Sequence, residues 1–561
     1  MHSKLLNGNL LVVFVILLVL FTAVGHAGEQ FYGVSEFSYT IKDNQATITS
    51  YHGKASVLNI PDELDGFPVR AIGLNGFLQE ASLTKVSIPA TVVEIVGNPF
   101  VGCENLKRID VAPDNPAFES DGGILYAKQT KTLITYPPGN TGKTCKIREG
   151  TLAIGDKAFR DCRVTNCIIP DSVLSIGEYA FFNCARLTAC PLPNNLLSIG
   201  MDAFRDCVRL TKISIPASTN KIDSSNPFSG CERLKSINVS PDNTAYESDG
   251  GVLYDKQSKI LICYPPSQTG KTYQILDGTM AVGAFSFDGS HLTDVIIPDS
   301  VRTIGEYAFL NSESLAEISI PAAVTEINGN PFYNCKKLQS INVSPDNPAY
   351  ESNGGILYMK QPKTLICHPP DNPNKSYQIH EGTMHIGDNA FYSCVRLTEV
   401  TIPESVVSIG KSAFYRCKDL TVMIIPDSVA SIGDSAFGYC TKLTSVIIPE
   451  GVTSIEDRLL SGCTGLTNVA IPEGVASIGD SSFWDCARLI EVTIPESVTS
   501  IGQCAFWGCA GLTEMTIPEN VVDIGWFAFN RCEKLILTVQ EGSYAAQYAK
   551  KNRVQHMFAT E

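Results

Sequence analysis

The sequence predicts a β-rich solenoid, a right-handed superhelix of about 19 stacked coils with parallel strands, hairpin insertions and end caps. Three observations predict this fold: a proline that recurs every 23 residues, apolar residues that return at the same positions of each period, and an apolar/polar alternation before each proline. A 23-residue unit cannot bury its own apolar side chains, whereas stacked units bury them against one another with strands about 4.8 Å apart. A helical repeat does not fit, because no unit holds a long stretch free of Pro and Gly with helical periodicity.

One unit illustrates the predicted coil. The segment that starts at Pro426 reads PDSVASIGDSAFGYCTKLTSVII. The alternation that ends at Ile448 predicts a short strand, and VASIG predicts a second short extended piece that stops at a glycine turn. The next proline ends the strand because it has no N–H to donate. In the most regular stretch this proline occurs at Pro403, Pro426, Pro449, Pro472, Pro495 and Pro518.

Three coils are lengthened by the same insertion. The lengthened segments start at Val111, Val239 and Val343, and each contains two apolar runs joined by a Lys-Gln turn. This pattern predicts a β-hairpin that protrudes from the coil, near residues 118–140, 246–268 and 350–372.

The ends of the chain depart from the repeat. Lys4 precedes an apolar run from Leu10 to Phe21, and the small residues Gly25 and Ala27 follow, which predicts a cleavable signal peptide over residues 1–27. A transmembrane anchor is the alternative, but the run rises only about 18 Å as a helix, short of the ~30 Å hydrocarbon core. We therefore expect a mature chain without a transmembrane span.

The remaining domain boundaries follow from the repeat. Residues 28–60 are predicted as an N-terminal capping hairpin, because residues 36–51 alternate around Asp43-Asn44. Residues 61–534 form the predicted solenoid, and residues 535–561 form a C-terminal cap that includes a short amphipathic helix.

Composition excludes several functions. A formal net charge of −15 argues against a nucleic-acid binder and against docking on an anionic membrane.

Most of the 19 cysteines recur at one position of the repeat, which indicates buried thiols rather than a disulfide framework. His380 and His385 resemble a metal-binding pair, but a turn-and-strand context favours a solvent-facing pair. The Asp-Asn turns at Asp114, Asp242 and Asp346 are interpreted as turn caps rather than calcium ligands. No catalytic motif occurs, so we expect no enzyme, no metal site and no cofactor.

Two repeated columns are candidate binding surfaces. An acidic residue follows each Ile-Pro pair, and this acidic ladder comprises Glu404, Asp427, Glu450, Glu473, Glu496 and Glu519. A solvated edge is the simple interpretation of the ladder, and steering of basic partners or loose divalent-cation binding is the functional interpretation.

The second column follows the phenylalanine of each coil and tolerates Arg, Gly and Asn, which predicts that its side chains are exposed. We call it the aromatic stripe, and it comprises Arg160, Phe182, Arg205, Tyr333, Tyr392, Tyr415, Trp484 and Trp507. Exposed aromatic and Arg residues are typical of binding hot spots, and half-buried rings that pack along the edge are the alternative.

The segments LTSVIIPEGVTSIE, AFYRC and SIGDSAFGYC resemble the BspA-like leucine-rich repeats, whose units are 23 residues long. The insertion DGGILY…LITYPP and the terminal GSYAAQYAKKN also resemble features of that family. The resemblance implies a leucine-rich-repeat fold and an exported protein that binds other proteins. It gives no catalytic motif and no fixed binding residues.

The expected function is therefore that of a secreted or surface-associated leucine-rich-repeat protein that mediates protein–protein binding. The expected partner is an extracellular-matrix or host-cell surface protein or glycan, bound in adhesion. A structural or self-assembling cell-surface component without a host ligand is the alternative.

Overall fold

The computed structural model describes residues 31–34, 36–223 and 226–559. The predicted signal peptide, residues 1–27, lies outside these described residues. The chain divides into two compact units, of which the first ends at Leu210 and the second begins at Thr211.

The first unit consists of short strands. They are β1 (Phe31–Val34), β2 (Phe37–Lys42), β3 (Gln45–Tyr51), β4 (Val57–Asn59), β5 (Glu63–Leu64), β6 (Phe67–Ile72), β7 (Lys85–Ile88), β8 (Glu94–Ile95), β9 (Arg108–Val111), β10 (Phe118–Asp121), β11 (Ile124–Ala127), β12 (Thr132–Thr135), β13 (Thr144–Lys146), β14 (Ala153–Ile154), β15 (Asn166–Ile168), β16 (Ser175–Ile176) and β17 (Ser198–Ile199).

The second unit continues the pattern and adds a helix. Its elements are β18 (Lys212–Ile215), β19 (Lys221–Ile222), β20 (Ser236–Val239), β21 (Tyr246–Asp249), β22 (Val252–Asp255), β23 (Ile260–Cys263), β24 (Thr272–Gln274), β25 (Ala281–Val282), β26 (Asp294–Ile296), β27 (Thr303–Ile304), β28 (Glu317–Ile320), β29 (Glu326–Ile327), β30 (Ser340–Val343), β31 (Tyr350–Asn353), β32 (Ile356–Met359), β33 (Thr364–Cys367), β34 (Ser376–Gln378), β35 (His385–Ile386), β36 (Glu399–Thr401), β37 (Ser408–Ile409), β38 (Val422–Ile424), β39 (Ser431–Ile432), β40 (Ser445–Ile447), β41 (Ser454–Ile455), β42 (Asn468–Ala470), β43 (Ser477–Ile478), β44 (Glu491–Val492), β45 (Ser500–Ile501), β46 (Glu514–Ile517), β47 (Asp523–Ile524), β48 (Ile536–Val539), α1 (Tyr544–Asn552) and β49 (His556–Phe558).

Each regular coil contributes one strand to each of two parallel ladders. In the second unit, β34, β36, β38, β40, β42 and β44 form one six-stranded sheet, and the two-residue Ser-Ile strands form the other ladder. Equivalent residues face each other, as Ile447 does Ala470. The predicted β-solenoid of stacked parallel strands is confirmed.

The core of each coil repeats that of its neighbour. The phenylalanine rings form a stack, in which the centroids of Phe391 and Phe414 lie 4.7 Å apart at an interplanar angle of 11°. The coils approach closely at the Ser-Ile-Gly turn. A Cβ on Gly502 would lie 2.6 Å from the backbone N of Asp480, so only glycine fits there.

Each insertion contains the hairpin that the sequence predicts, such as β32 with β33, but the insertions differ from the prediction in two ways. Each consists of three antiparallel strands, such as β31, β32 and β33. The third strand does not protrude, because β33 pairs in parallel with β35 and so completes the ladder of Ser-Ile strands. The apolar residues Leu357, Tyr358 and Leu365 are buried, and this burial draws the meander into the coil.

The first unit has an antiparallel hairpin near its start, and the second unit has a helix near its end. In the first unit, β2 and β3 form a hairpin around Asp43 and Asn44, whose φ angles of 50° and 57° suit a tight hairpin turn. In the second unit, the Oγ of Ser543 accepts a hydrogen bond from the N–H of Ala546 and caps α1. Tyr548 on α1 packs against Phe529 of the last coil.

Candidate binding surfaces

The six residues of the acidic ladder are all exposed. Each follows the proline of a tight turn that is closed by a backbone hydrogen bond, such as that from Val429 N to Pro426 O at 3.0 Å. The turn directs the carboxylate away from the core once per coil. Nearby ion pairs use other acids, as in Lys442–Asp419 at 2.7 Å. In the described part of the chain the ladder carboxylates therefore have no cationic partner.

The predicted exposure of the aromatic stripe is wrong. Tyr392 is buried, with 8% of its surface exposed, and the other seven members are half-buried. The physical reason is that large side chains of the stripe cover one another where adjacent coils both carry one. The Trp484 and Trp507 rings stack with centroids 5.1 Å apart and an interplanar angle of 8°.

Further contacts within the stripe support a packing role. The Tyr392 and Tyr415 rings are also stacked, at 5.5 Å and 8°. The Arg160 guanidinium lies 4.6 Å from the centroid of the Phe182 ring. Burial raises the pKa of Tyr415 to about 12. The stripe is thus a second stacked column at the edge of the core.

A different row is exposed, and the sequence reasoning missed it. On the solvent face of the six-stranded sheet, Ile424 is 71% exposed and Ile447 is 61% exposed. The two residues are direct register partners, and Val422 lies exposed on the same face. The signal is present in the sequence, because VMIIP and SVIIP carry isoleucine where KISIP and EISIP carry serine.

The cysteine column is buried, as predicted, and has a role that the spacing does not reveal. Thiols of the column donate to a backbone carbonyl of the preceding coil, as Cys440 Sγ does to Phe414 O at 3.1 Å. Where the column holds serine, the bond persists, from Ser312 Oγ to Phe287 O at 2.9 Å. Burial raises the pKa of the Cys463 thiol to about 12. All 19 cysteines are free thiols, and only Cys504 is half-exposed.

The histidine pair does not form a metal site. His380 Nδ1 lies 2.6 Å from Lys363 Nζ, and His385 Nδ1 lies 2.7 Å from Ser408 Oγ, so the two rings have different partners. Within the described ranges, no three His, Cys, Asp or Glu side chains are placed to hold a metal ion.

At the Asp-Asn turns, the asparagine side chain makes the hydrogen bonds that hold the turn. Asn347 is buried, and its Nδ2 donates to Pro321 O and Val324 O, both at 2.8 Å. Its Oδ1 accepts from the N–H groups of Ala349 and Tyr350. Asn115 and Asn243 make the equivalent bonds in the other two insertions. Asp346, beside it, is exposed.

These features define a solenoid repeat protein whose exposed surface varies in chemistry from coil to coil. The model of the BspA type leucine rich repeat region matches in six copies, over residues 54–121, 152–250, 270–353, 372–490 and 476–545. The chain therefore belongs to the BspA-type leucine-rich-repeat family.

Several solved structures are similar to this chain. A leucine rich cell surface protein of Faecalibacterium prausnitzii is 24% identical over 89% of this chain and 94% of its own, with a TM-score of 0.38. A leucine-rich repeat protein of Eubacterium ventriosum is 22% identical over 74% and 93%, with a TM-score of 0.45. One from Bacteroides ovatus is 21% identical over 94% and 100%, with a TM-score of 0.32. No curated protein matches the chain. In the part of the chain that the structure describes, no helix is long and apolar enough to cross a membrane.

Proposed function

We propose that this chain is a secreted or surface-associated binding protein that adheres to protein partners of the extracellular matrix or of host cells. Its mechanism is multivalent contact along the repeated surface, and it needs no catalytic site and no cofactor. The predicted signal peptide that ends at Ala27 directs its export. The mass of the mature chain recovered from the culture medium tests that cleavage.

One observation carries the proposal: six exposed carboxylates stand one per coil without a cationic partner among the described residues. Like charges at a spacing of about 4.8 Å repel one another, and a basic partner removes that repulsion on binding. Such a surface accelerates association with a positively charged partner and makes the rate depend on salt.

The test is binding to purified matrix proteins and mucin on a sensor surface. We expect saturable binding that weakens with added salt. The double variant Glu450→Gln/Glu473→Gln should bind more weakly and lose part of the salt dependence, at an unchanged melting temperature. The matched control neutralises two exposed acids off the ladder, Glu232 and Glu533. No binding to any of these surfaces, or equal effects of the two double variants, would contradict the proposal.

A second candidate is self-assembly at the cell surface. The last coil exposes Trp526, at 73%, next to Phe527, whereas the preceding coil holds Gln503 and Cys504 at these positions. An exposed aromatic pair at the end of a stack favours contact with another copy. Light scattering tests this candidate: Trp526→Ser should reduce the particle mass if the aromatic pair drives assembly. A monomer at all concentrations would discard it.

A further inference from the structure

We propose that the solvent face of β36, β38, β40 and β42 binds a segment of a partner protein in which apolar side chains stand beside lysine or arginine. This inference rests on the proposed binding function and gives the chemistry of the partner.

The centre of this face is an apolar row. Ile424 and Ile447 are register partners, and Ala470 continues the row on the next strand. Thr401 precedes the row on β36. Val422 lies on the same face of β38 and widens the patch. Contiguous exposed apolar side chains on a rigid sheet are typical of a binding surface.

Other sheets of the second unit show that this row is a local feature. The equivalent outward pair is Ser214 and Asn238 on β18 and β20, and it is Ser319 and Asn342 on β28 and β30. All four residues are exposed. The fold therefore accepts polar residues at this position, and core packing does not require the isoleucines.

The acidic ladder borders the apolar row on one side. Asp427 follows Ile424 after two residues, and Glu450 follows Ile447 in the same way. On the other side, the residues before the strands include paired charges, such as Asp419 with Lys442 and Asp371 with Arg396. Among the described residues, negative charge without an ion pair thus lies mainly along the ladder border, and Glu399 adds one exposed carboxylate on the same face of β36. A complementary partner places its cations over that border and its apolar side chains on the isoleucines.

The same chemistry disfavours other ligands. An acidic segment or a nucleic acid meets the ladder with like charge. The row presents methyl groups where a polar glycan needs hydrogen-bond donors and acceptors. A basic, apolar protein segment satisfies both the row and its border.

Calorimetric titration of the full chain with a synthetic amphipathic peptide of leucine and lysine tests the proposal. A peptide with glutamate in place of lysine is the charge control. We expect the lysine peptide to bind at least about tenfold more tightly than the glutamate peptide, and its affinity to fall with salt.

Variants of the protein locate the site. Ile424→Ser/Ile447→Ser should weaken binding of the lysine peptide about tenfold or more at an unchanged melting temperature. The matched control is Ile296→Ser, which removes an exposed isoleucine from β26, outside this sheet, and should leave the affinity unchanged. Equal affinity of the double variant and the wild type, or equal binding of the two peptides, would overturn the proposal. So would dimerisation of the free protein that the double variant abolishes, because a second copy would then occupy this face.

The same double variant separates this inference from the proposed function. If the wild type and the double variant bind a matrix protein equally, the adhesive function stands and this face is not its site. If the wild type binds no matrix protein but the lysine peptide binds as expected, the face and its chemistry stand and the proposed adhesive function fails.

Discussion

The inserted coil at residues 343–379 and the regular coils at residues 399–494 bury similar apolar columns, but they are stabilised in different ways. In the regular coils the same kinds of contact recur: Phe391, Phe414 and Phe437 stack in succession, Leu460 takes the next place in that column, and each thiol donates to the preceding coil. In the inserted coil the Asn347 side chain alone makes four hydrogen bonds, and the Tyr350 hydroxyl accepts one more from the N–H of Ile327. Stability is therefore spread over many equivalent residues in one region and concentrated in few residues in the other.

The largest expected loss in the free energy of unfolding comes from removing the buried side-chain amide of the inserted coil. Asn347→Ala should leave two carbonyls and two N–H groups without their partner, at a cost of about 3–5 kcal/mol in the free energy of unfolding. Urea denaturation measures that loss, and hydrogen exchange should show it first in residues 343–379. Asn353→Ala, at an exposed position of the same meander, is the control and should change the free energy little. Equal losses of free energy in Asn347→Ala and Asn353→Ala would show that stability is not concentrated in Asn347.

The second prediction concerns pH and His368 of the same coil. Its ring is buried, stacks on Phe391, and leaves Nε2 without a hydrogen bond among the described residues. Burial lowers the pKa of His368 from 6.5 to about 4. The unfolded chain takes up a proton below pH 6.5 and the folded chain only near pH 4, so stability is lost as the pH falls between these values, by about 3 kcal/mol.

The chain offers its own control for this titration. The other two insertions hold tyrosine at the position of His368, namely Tyr136 and Tyr264, and both stack on the next phenylalanine. His368→Tyr should therefore fold and should lose less stability than the wild type between pH 6.5 and pH 4. Identical pH profiles of the two proteins, measured by urea denaturation, would show that His368 does not cause the loss.

A smaller effect is expected in the regular coils, at the aromatic stripe. Trp484→Ala removes one ring of the Trp484–Trp507 stack and should lower the free energy of unfolding by about 2 kcal/mol. Thermal denaturation measures the change. Trp526→Ala is the matched control, because that ring is mostly exposed, and it should shift the melting temperature far less. If both variants melt alike, the stripe is not a packing column.

The smallest effect tests the cysteine column. Cys440→Ala removes the donor to Phe414 O and should cost about 1 kcal/mol. Cys440→Ser keeps a donor, as Ser312 does in its own coil, and should cost less. Urea denaturation of the two variants compares them. A serine variant less stable than the alanine variant would mean that the thiol acts only as an apolar filler.

Much of the fold could be predicted from the sequence because repeated residues become neighbours in space. Residues 23 apart stack about 4.8 Å apart, so a column in the sequence is a column in the structure. Burial of Phe437 and Cys440 follows directly from that rule. The candidate sites were harder to predict. Tolerance of Arg and Gly in the stripe indicated exposure, but the rings of adjacent coils cover one another.

The sequence alone determined the repeat, the buried columns, the position of the insertions and the acidic ladder, because each of these depends on spacing within one coil or between equivalent residues. Only the tertiary structure decided what depends on contacts between unlike positions. It joined the third inserted strand to the parallel ladder. It gave Asn347 rather than Asp346 the role of holding the turn. It also left Ile424 and Ile447, which the 23-residue spacing already aligns, uncovered by any other side chain of the described residues and exposed beside the ladder. The physical reason is that exposure depends on which side chains of adjacent coils shield one another, and a linear pattern does not record that shielding.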